Sequence, residues 1–150
     1  MDLQQRIDAD IKEAMLARDK DRLNALRAIK SAILLELTKE GGATLTTGTG
    51  LRILQKLHKQ RMESASIYNA QLRPELAAEE EAQARVIERY LPAPLSDAEV
   101  ESAVRALITE LGAQGMKDMG RVMGAANERL AGKAEGARIA ALVKQILGGS

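Results

Sequence analysis

Cysteine, phenylalanine and tryptophan are all absent from the 150 residues. Without cysteine there is no disulfide and no thiolate metal site. A lone histidine, His58, excludes a multi-histidine site as well. Two tyrosines are the whole aromatic inventory. The interior must therefore be built from Leu, Ile, Val, Met and Ala, a set that favours packed helices over a sheet. The same scarcity leaves no row of rings on which single-stranded bases could stack. No run approaches the ~20 apolar residues of a membrane span. The opening MDLQQRIDAD is polar and acidic, unlike a secretory or transit peptide. These absences point to a soluble cytoplasmic protein with no membrane partner, long enough for one or two domains with a real core.

What remains is rich in the helix formers Ala, Leu, Glu, Lys, Arg and Gln. Apolar spacing predicts a first helix over residues 2–18, with Leu3, Ile7, Ile11, Ala14 and Met15 on one stripe. A second helix, capped by Asp19 or Asp21, carries Leu23, Leu26, Ile29, Ile33, Leu34 and Leu37. Residues 41–50, rich in Gly and Thr, read as a mobile surface loop. A third helix follows from about Leu51 to Gln71 with Leu54, Leu57, Met62, Ala65 and Tyr68 inward. Pro74 suits the first turn of a fourth, over residues 74–90. Leu91-Pro92-Ala93-Pro94-Leu95 cannot continue a helix and reads as a stiff hinge. Ser96 and Glu99 then form a capping box for a fifth helix, which Gly112 and Gly115 end. The expected architecture is all-α: an N-terminal four-helix bundle over 1–91, a Pro-rich hinge, and a C-terminal three-helix bundle over 95–150. The last residues, 148–150, are expected to fray.

The last third carries the most specific pattern. Met119, Val122, Met123, Ala126 and Leu130 recur at helical spacing, with Gly120 and Gly124 four apart beside them. Each helical glycine costs roughly 1 kcal/mol relative to alanine, so a pair implies that something approaches the backbone closely. Packing against a neighbouring helix is the favoured explanation, and approach of an RNA backbone is the other. Met116, Met119 and Met123 read as core filler rather than docking surface. A loop, Gly132-Lys133-Ala134-Glu135-Gly136, leads to a last helix with Ile139, Leu142, Val143, Ile146 and Leu147 on one stripe. Net charge is +1, yet from Met116 onward six basic residues face Asp118, Glu128 and Glu135. Glu75, Glu79, Glu80 and Glu81 make an acidic stretch instead, read as a solvated face because consecutive helical positions splay by ~100° and cannot converge on one ion.

Asp118-Met119-Gly120-Arg121-Val122-Met123-Gly124 followed by Gly132 through Gly136 resembles the C-terminal module of the GatB/YqeY family. Length and layout resemble its small free-standing YqeY-like members. Glu135 stands where the family often has Asp, which keeps the charge. The similar tail of the glutamine-dependent amidotransferase B subunit helps engage tRNA. The resemblance therefore implies tRNA as partner, with Lys117, Arg121, Arg129, Lys133 and Arg138 on phosphates, and proteins of tRNA synthesis or amidation as further partners. Lys133 and Arg138 lead that set. The loop amides around Lys133 are expected to be free donors, and Arg138 sits in a first helical turn where the dipole gives a cation no structural reason to be.

The family's label is carbon–nitrogen ligation with glutamine as amide donor, but the catalytic parts of that enzyme lie elsewhere. His58 lacks an orienting partner on its own helix and reads as a rim histidine. Ser64 and Ser66 lie in no Gly-rich turn, and Gly48-Thr49-Gly50 lacks the lysine of a phosphate loop. No cofactor and no metal are expected. The alternatives to an RNA-associated helper are amide-transfer chemistry and a protein–protein adaptor.

Overall fold

Seven α-helices and one short 3₁₀ turn make up the structure, a computed structural model that describes residues 1–39, 41 and 44–149; no strand occurs among them. The protein is all-α, as its lack of large aromatic side chains dictates. The chain divides into two compact units, Met1–Pro92 and Ala93–Ser150.

The first unit contains α1 (Leu3–Ala17), α2 (Lys20–Lys39), α3 (Thr47–Ala70) and α4 (Pro74–Glu88). Asp2 opens α1 with a capping box, accepting the Gln5 N–H at 2.8 Å while the Gln5 side chain accepts the Asp2 N–H at 3.0 Å. Arg18 stops the helix in the left-handed region, at φ 55°. Asp19 then caps α2 by accepting the Arg22 N–H at 3.2 Å. That short link lets α2 fold back along α1, where Lys30 reaches Asp8 at 2.8 Å. Ile7, Leu26, Ile29, Ile33, Leu54 and Ile87 are almost wholly buried where the helices meet. Met15, Leu34 and Met62, expected inside, are about half exposed. Met15 and Leu34 each lie ~100° around the axis from a buried neighbour, Ala14 and Ile33, and so fall beyond the reach of the facing helix.

The Gly/Thr stretch departs from expectation. Helix α3 starts at Thr47, four positions before Leu51, and takes Gly48, Thr49 and Gly50 with it. Thr46 makes this possible by accepting the Thr49 N–H at 3.1 Å, a cap whose gain offsets the poor helix propensity of the glycines. Gly42 and Ala43, part of the expected loop, lie outside the described residues. Pro74 occupies the first turn of α4, as its missing N–H permits. The helix ends at Glu88, and Tyr90 leaves it to fill the edge of the core at 8% exposure. Its O–H donates to Asp10 of α1, which also lies 3.8 Å from Arg22. The Arg6 guanidinium sits over the ring, 5.0 Å from its centre.

The second unit contains α5 (Asp97–Leu111), the 3₁₀ turn Met116–Asp118, α6 (Met119–Arg129) and α7 (Gly136–Gly148). The expected capping box is present: Ser96 accepts the Glu99 N–H at 3.2 Å, and Glu99 accepts the Ser96 N–H at 3.0 Å. That second bond holds the Glu99 carboxyl below the usual range. Gly112 ends α5 at φ 65°, a conformation that disfavours a side chain. The core takes a triplet from each helix: Val100, Val104 and Leu107; Val122, Ala126 and Leu130; Ile139, Val143 and Leu147. Gly148 is the last residue of α7, and Ser150 lies outside the described residues. The Leu95 N–H donates to the Lys133 carbonyl at 3.0 Å, tying the segment before α5 to the α6–α7 loop.

Two measurements check this account. Burial first, and then the bond to Asp10, push the Tyr90 phenol above its ordinary value of 10.0. Folding thus favours the protonated phenol, a contribution complete below about pH 10 and lost as pH rises through the folded-state value. Tyr90→Phe should lower stability at pH 7 by about 1–2 kcal/mol. In urea unfolding from pH 7 to 11, the gap between the two proteins should narrow above about pH 10; a constant gap would contradict the assignment. The segment Ala93–Ser150, with its own three-helix core, should unfold cooperatively by itself, though with the marginal stability of a domain this small. A featureless, non-cooperative melt of that segment would show that its core needs the rest of the chain.

Candidate nucleic-acid interface

Residues advance by ~100° along a helix, so burying Val122 and Ala126 sets the direction of every other side chain on α6. The opposite stripe is Gly120, Arg121, Gly124 and Glu128, and all four are exposed, as is Lys117 in the 3₁₀ turn just before the helix. Among the described residues, a Cβ built on Gly120 or Gly124 would meet nothing within 4 Å. The helix-packing explanation for these glycines is therefore overturned. They face outward, and the close contacts of α6 are made by Ala126 and its neighbours instead. Met119 and Met123 lean on the core as expected, whereas Met116 is 45% exposed. Among the four glycines of the motif, Gly132 is the one with a conformational reason, at φ 75°. Gly136 begins α7, where an added Cβ would come no nearer than 3.9 Å to Asn127 Oδ1.

Three of the five expected phosphate ligands are ion-paired. Arg121 donates to Asp118 at 3.2 Å. Asp118 also accepts the Gln114 N–H at 2.9 Å, and that bond above all, with Arg121 and Lys117 nearby, holds its carboxyl below the usual range. Arg129 grips Glu110 of α5 through both terminal nitrogens, at 2.7 and 3.1 Å, which lowers the Glu110 carboxyl in the same way. Arg138 pairs with Asp97 in the first turn of α5 at 2.5 Å. The expectation that Arg138 has no structural reason for its place is thus corrected: it ties the start of α7 to the start of α5. The loop amides are not free either. The N–H groups of Lys133 and Ala134 both donate to the Leu130 carbonyl, at 2.9 and 3.3 Å. The Lys117 and Lys133 side chains are exposed.

The five cations do not form one edge. Lys117 and Arg121 flank the glycines, while Arg129 lies ~80° further round α6, toward α5. The surplus of charge after Met116 is also offset. Helix α5 and its cap bring Asp97, Glu99, Glu101 and Glu110 against Arg105 alone, so Ala93–Ser150 carries seven basic and seven acidic residues. Any polyanion contact here depends on where individual cations stand, not on a net field. All three ion pairs are solvent-exposed, and water screening leaves such pairs open to exchange for another anion.

In the first unit, His58 does find a partner, Glu88 of α4 at 2.7 Å, which ties α3 to α4 at the rim. Glu80 faces Arg61 at 3.8 Å, and no group of three or more His, Asp or Glu among the described residues could hold a metal ion. Sequence reasoning missed a cavity of about 300 Å³ beside Tyr90 and Arg6. The available signal was the rarity of tyrosine in a chain with no other large ring.

Among the described residues, no helix is long and apolar enough to cross a membrane. Two fungal proteins named "Altered inheritance of mitochondria protein 41, mitochondrial" are similar to this chain. The one from Meyerozyma guilliermondii is 34% identical over 122 residues, covering 79% of this chain and 64% of its own length. The one from Pyrenophora tritici-repentis is 28% identical over 132 residues, covering 86% of this chain and 71% of its own. This chain thus spans just under two thirds of the first relative. The pattern described as Yqey-like protein matches residues 4–147, taking in both helical units and the glycine-bearing helix, and on that extent the chain belongs to the YqeY-like family.

Proposed function

We propose that the protein is a non-catalytic RNA-associated helper that docks tRNA on the outer stripe of α6. The observation that carries this reading is the open pair Gly120 and Gly124, with Lys117 and Arg121 at their edges. Two helical glycines cost ~2 kcal/mol together and return no packing within the chain. A surface without side chains lets a phosphate backbone come close to the helix, and the flanking cations supply the charge that such contact needs. Arg121, Arg129 and Arg138 would exchange their carboxylates for phosphates, and Lys117 and Lys133 would reach phosphates directly. Readout of tRNA by shape does not call for the aromatic rings this chain lacks. The similarity of the module to the tail of the amidotransferase B subunit supports the same reading. In this proposal the helices before Pro92 form one bundle and those after Pro94 another, with the two prolines as a stiff connection. The reading requires only a compartment that holds tRNA, whether the cytoplasm or the mitochondrion that the relatives' names record.

The test is titration of the full chain with tRNA at several salt concentrations. Gly124→Leu should keep the fold and raise the melting temperature slightly, because leucine exceeds glycine in helix propensity by about 0.8 kcal/mol and meets no neighbour. The same change should weaken tRNA binding by about tenfold or more, a loss of ~1.4 kcal/mol. Changing Lys117 and Lys133 together to Glu should flatten the salt slope by roughly two phosphate equivalents. Undiminished binding by both variants would remove this face as the RNA site. No binding by the parent chain even at low salt would favour the adaptor reading, in which another helix packs on the glycines.

A further inference from the structure

We propose that the first unit carries a binding site for a small amphipathic carboxylate, in the cavity between the start of α1 and the start of α3. This inference is independent of the RNA reading, which concerns the other unit. The cavity measures about 300 Å³, at the lower limit of pockets that enclose small molecules. Leu3, Leu45, Leu51 and Leu54 wall its apolar side, and Arg6 and Tyr90 its polar side. Gly50 lets two of these leucines close in on the start of α3: a Cβ there would lie 3.1 Å from Leu3 Cδ2 and 3.6 Å from Leu45 Cδ2.

The charges around the cavity select the ligand. Asp2 lines it too, but its carboxylate caps α1. Asp10 is engaged by the Tyr90 O–H and by Arg22. Arg6 is different. Its guanidinium lies over the Tyr90 ring, and among the described residues no carboxylate comes within ion-pairing distance of it. A stacked guanidinium keeps its hydrogen-bonding edge free and loses little freedom on binding, which favours a planar two-oxygen partner. With Arg22 offsetting Asp10 and Asp2 engaged in the α1 cap, Arg6 is left to balance a single negative charge, which suits a carboxylate better than the double charge of a phosphate monoester. The four leucines then take up an apolar body of a few carbons.

Hexanoate is the probe, added to the full chain and followed by amide shifts. Saturable shifts should gather at Leu3, Gly50 and Leu51, with a dissociation constant of about 1 mM, as its few heavy atoms allow. Hexanol, with the same apolar body and no charge, should bind about tenfold more weakly. Arg6→Gln should abolish the difference between the two probes, and Arg6→Lys should restore part of it. Arg6 is exposed, so both variants should fold, as an unchanged far-ultraviolet spectrum would confirm. Absence of saturable shifts with hexanoate to about 10 mM would overturn the site, since weaker binding than that is not specific at this ligand size. Equal binding of hexanol and hexanoate by the parent chain, or an unaltered gap in Arg6→Gln, would also overturn it.

Discussion

The burial of Val122, Ala126 and Leu130 governs the second unit, because it fixes how α6 is turned about its own axis. Burying Val122 and Leu130 contributes about 1.5–3 kcal/mol each, which outweighs the ~1 kcal/mol that each glycine costs the helix. The helix therefore forms despite Gly120 and Gly124, and geometry sends both glycines to the opposite side. The small cross-section of that side follows from packing alone. Its charge follows from Arg121, which falls on the same stripe for the same reason, and from exposed Lys117 in the 3₁₀ turn just before the helix. The proposed docking surface is thus a consequence of the core beneath it.

A chain with almost no aromatic residues must build its cores from many similar aliphatic side chains, and these specify register weakly. Local hydrogen bonds supply part of the missing specificity. Capping boxes fix the starts of α1 and α5, and threonine and aspartate caps fix those of α3 and α2. Tyr90 closes the first unit by joining the segment after α4 to Asp10 of α1. In the second unit the same closing role falls to ion pairs: Arg129 to Glu110 and Arg138 to Asp97 both join α5 to the helices that follow. Arginines in this unit therefore sit where the helices meet as well as presenting charge, and such exposed pairs add at most about 1 kcal/mol each.

Helical class, most helix starts and the apolar stripes of α6 and α7 were legible because they depend on spacing and on caps, which are local. Ser96 with Glu99 is the clearest case. The start of α3 was not legible, since a single threonine cap overrode the glycine content of Thr47 to Gly50. Nor were the partners of the arginines. Asp97 and Arg138 lie 41 positions apart, and only the folded α5–α7 contact brings them together. The glycines of α6 were recognised as significant, but packing was favoured over an outward role. The apolar stripe alone would have settled that, for positions 120 and 124 lie opposite 122 and 126 on any regular helix. The cavity beside Tyr90 depends on the meeting of α1 with the start of α3, and no local pattern announces such a meeting.

In the proposed function the outer stripe of α6 is a contact surface for RNA rather than a bare helix face. Amide spectra of the full chain recorded during addition of tRNA, at low and then at raised salt, test it residue by residue. The account predicts shifts at Lys117, Gly120, Arg121 and Gly124 that fade as salt rises, with Val122 and Ala126 least affected because they face the core. Shifts that leave these four residues untouched and gather in Met1–Pro92, or no shifts at low salt, would contradict it.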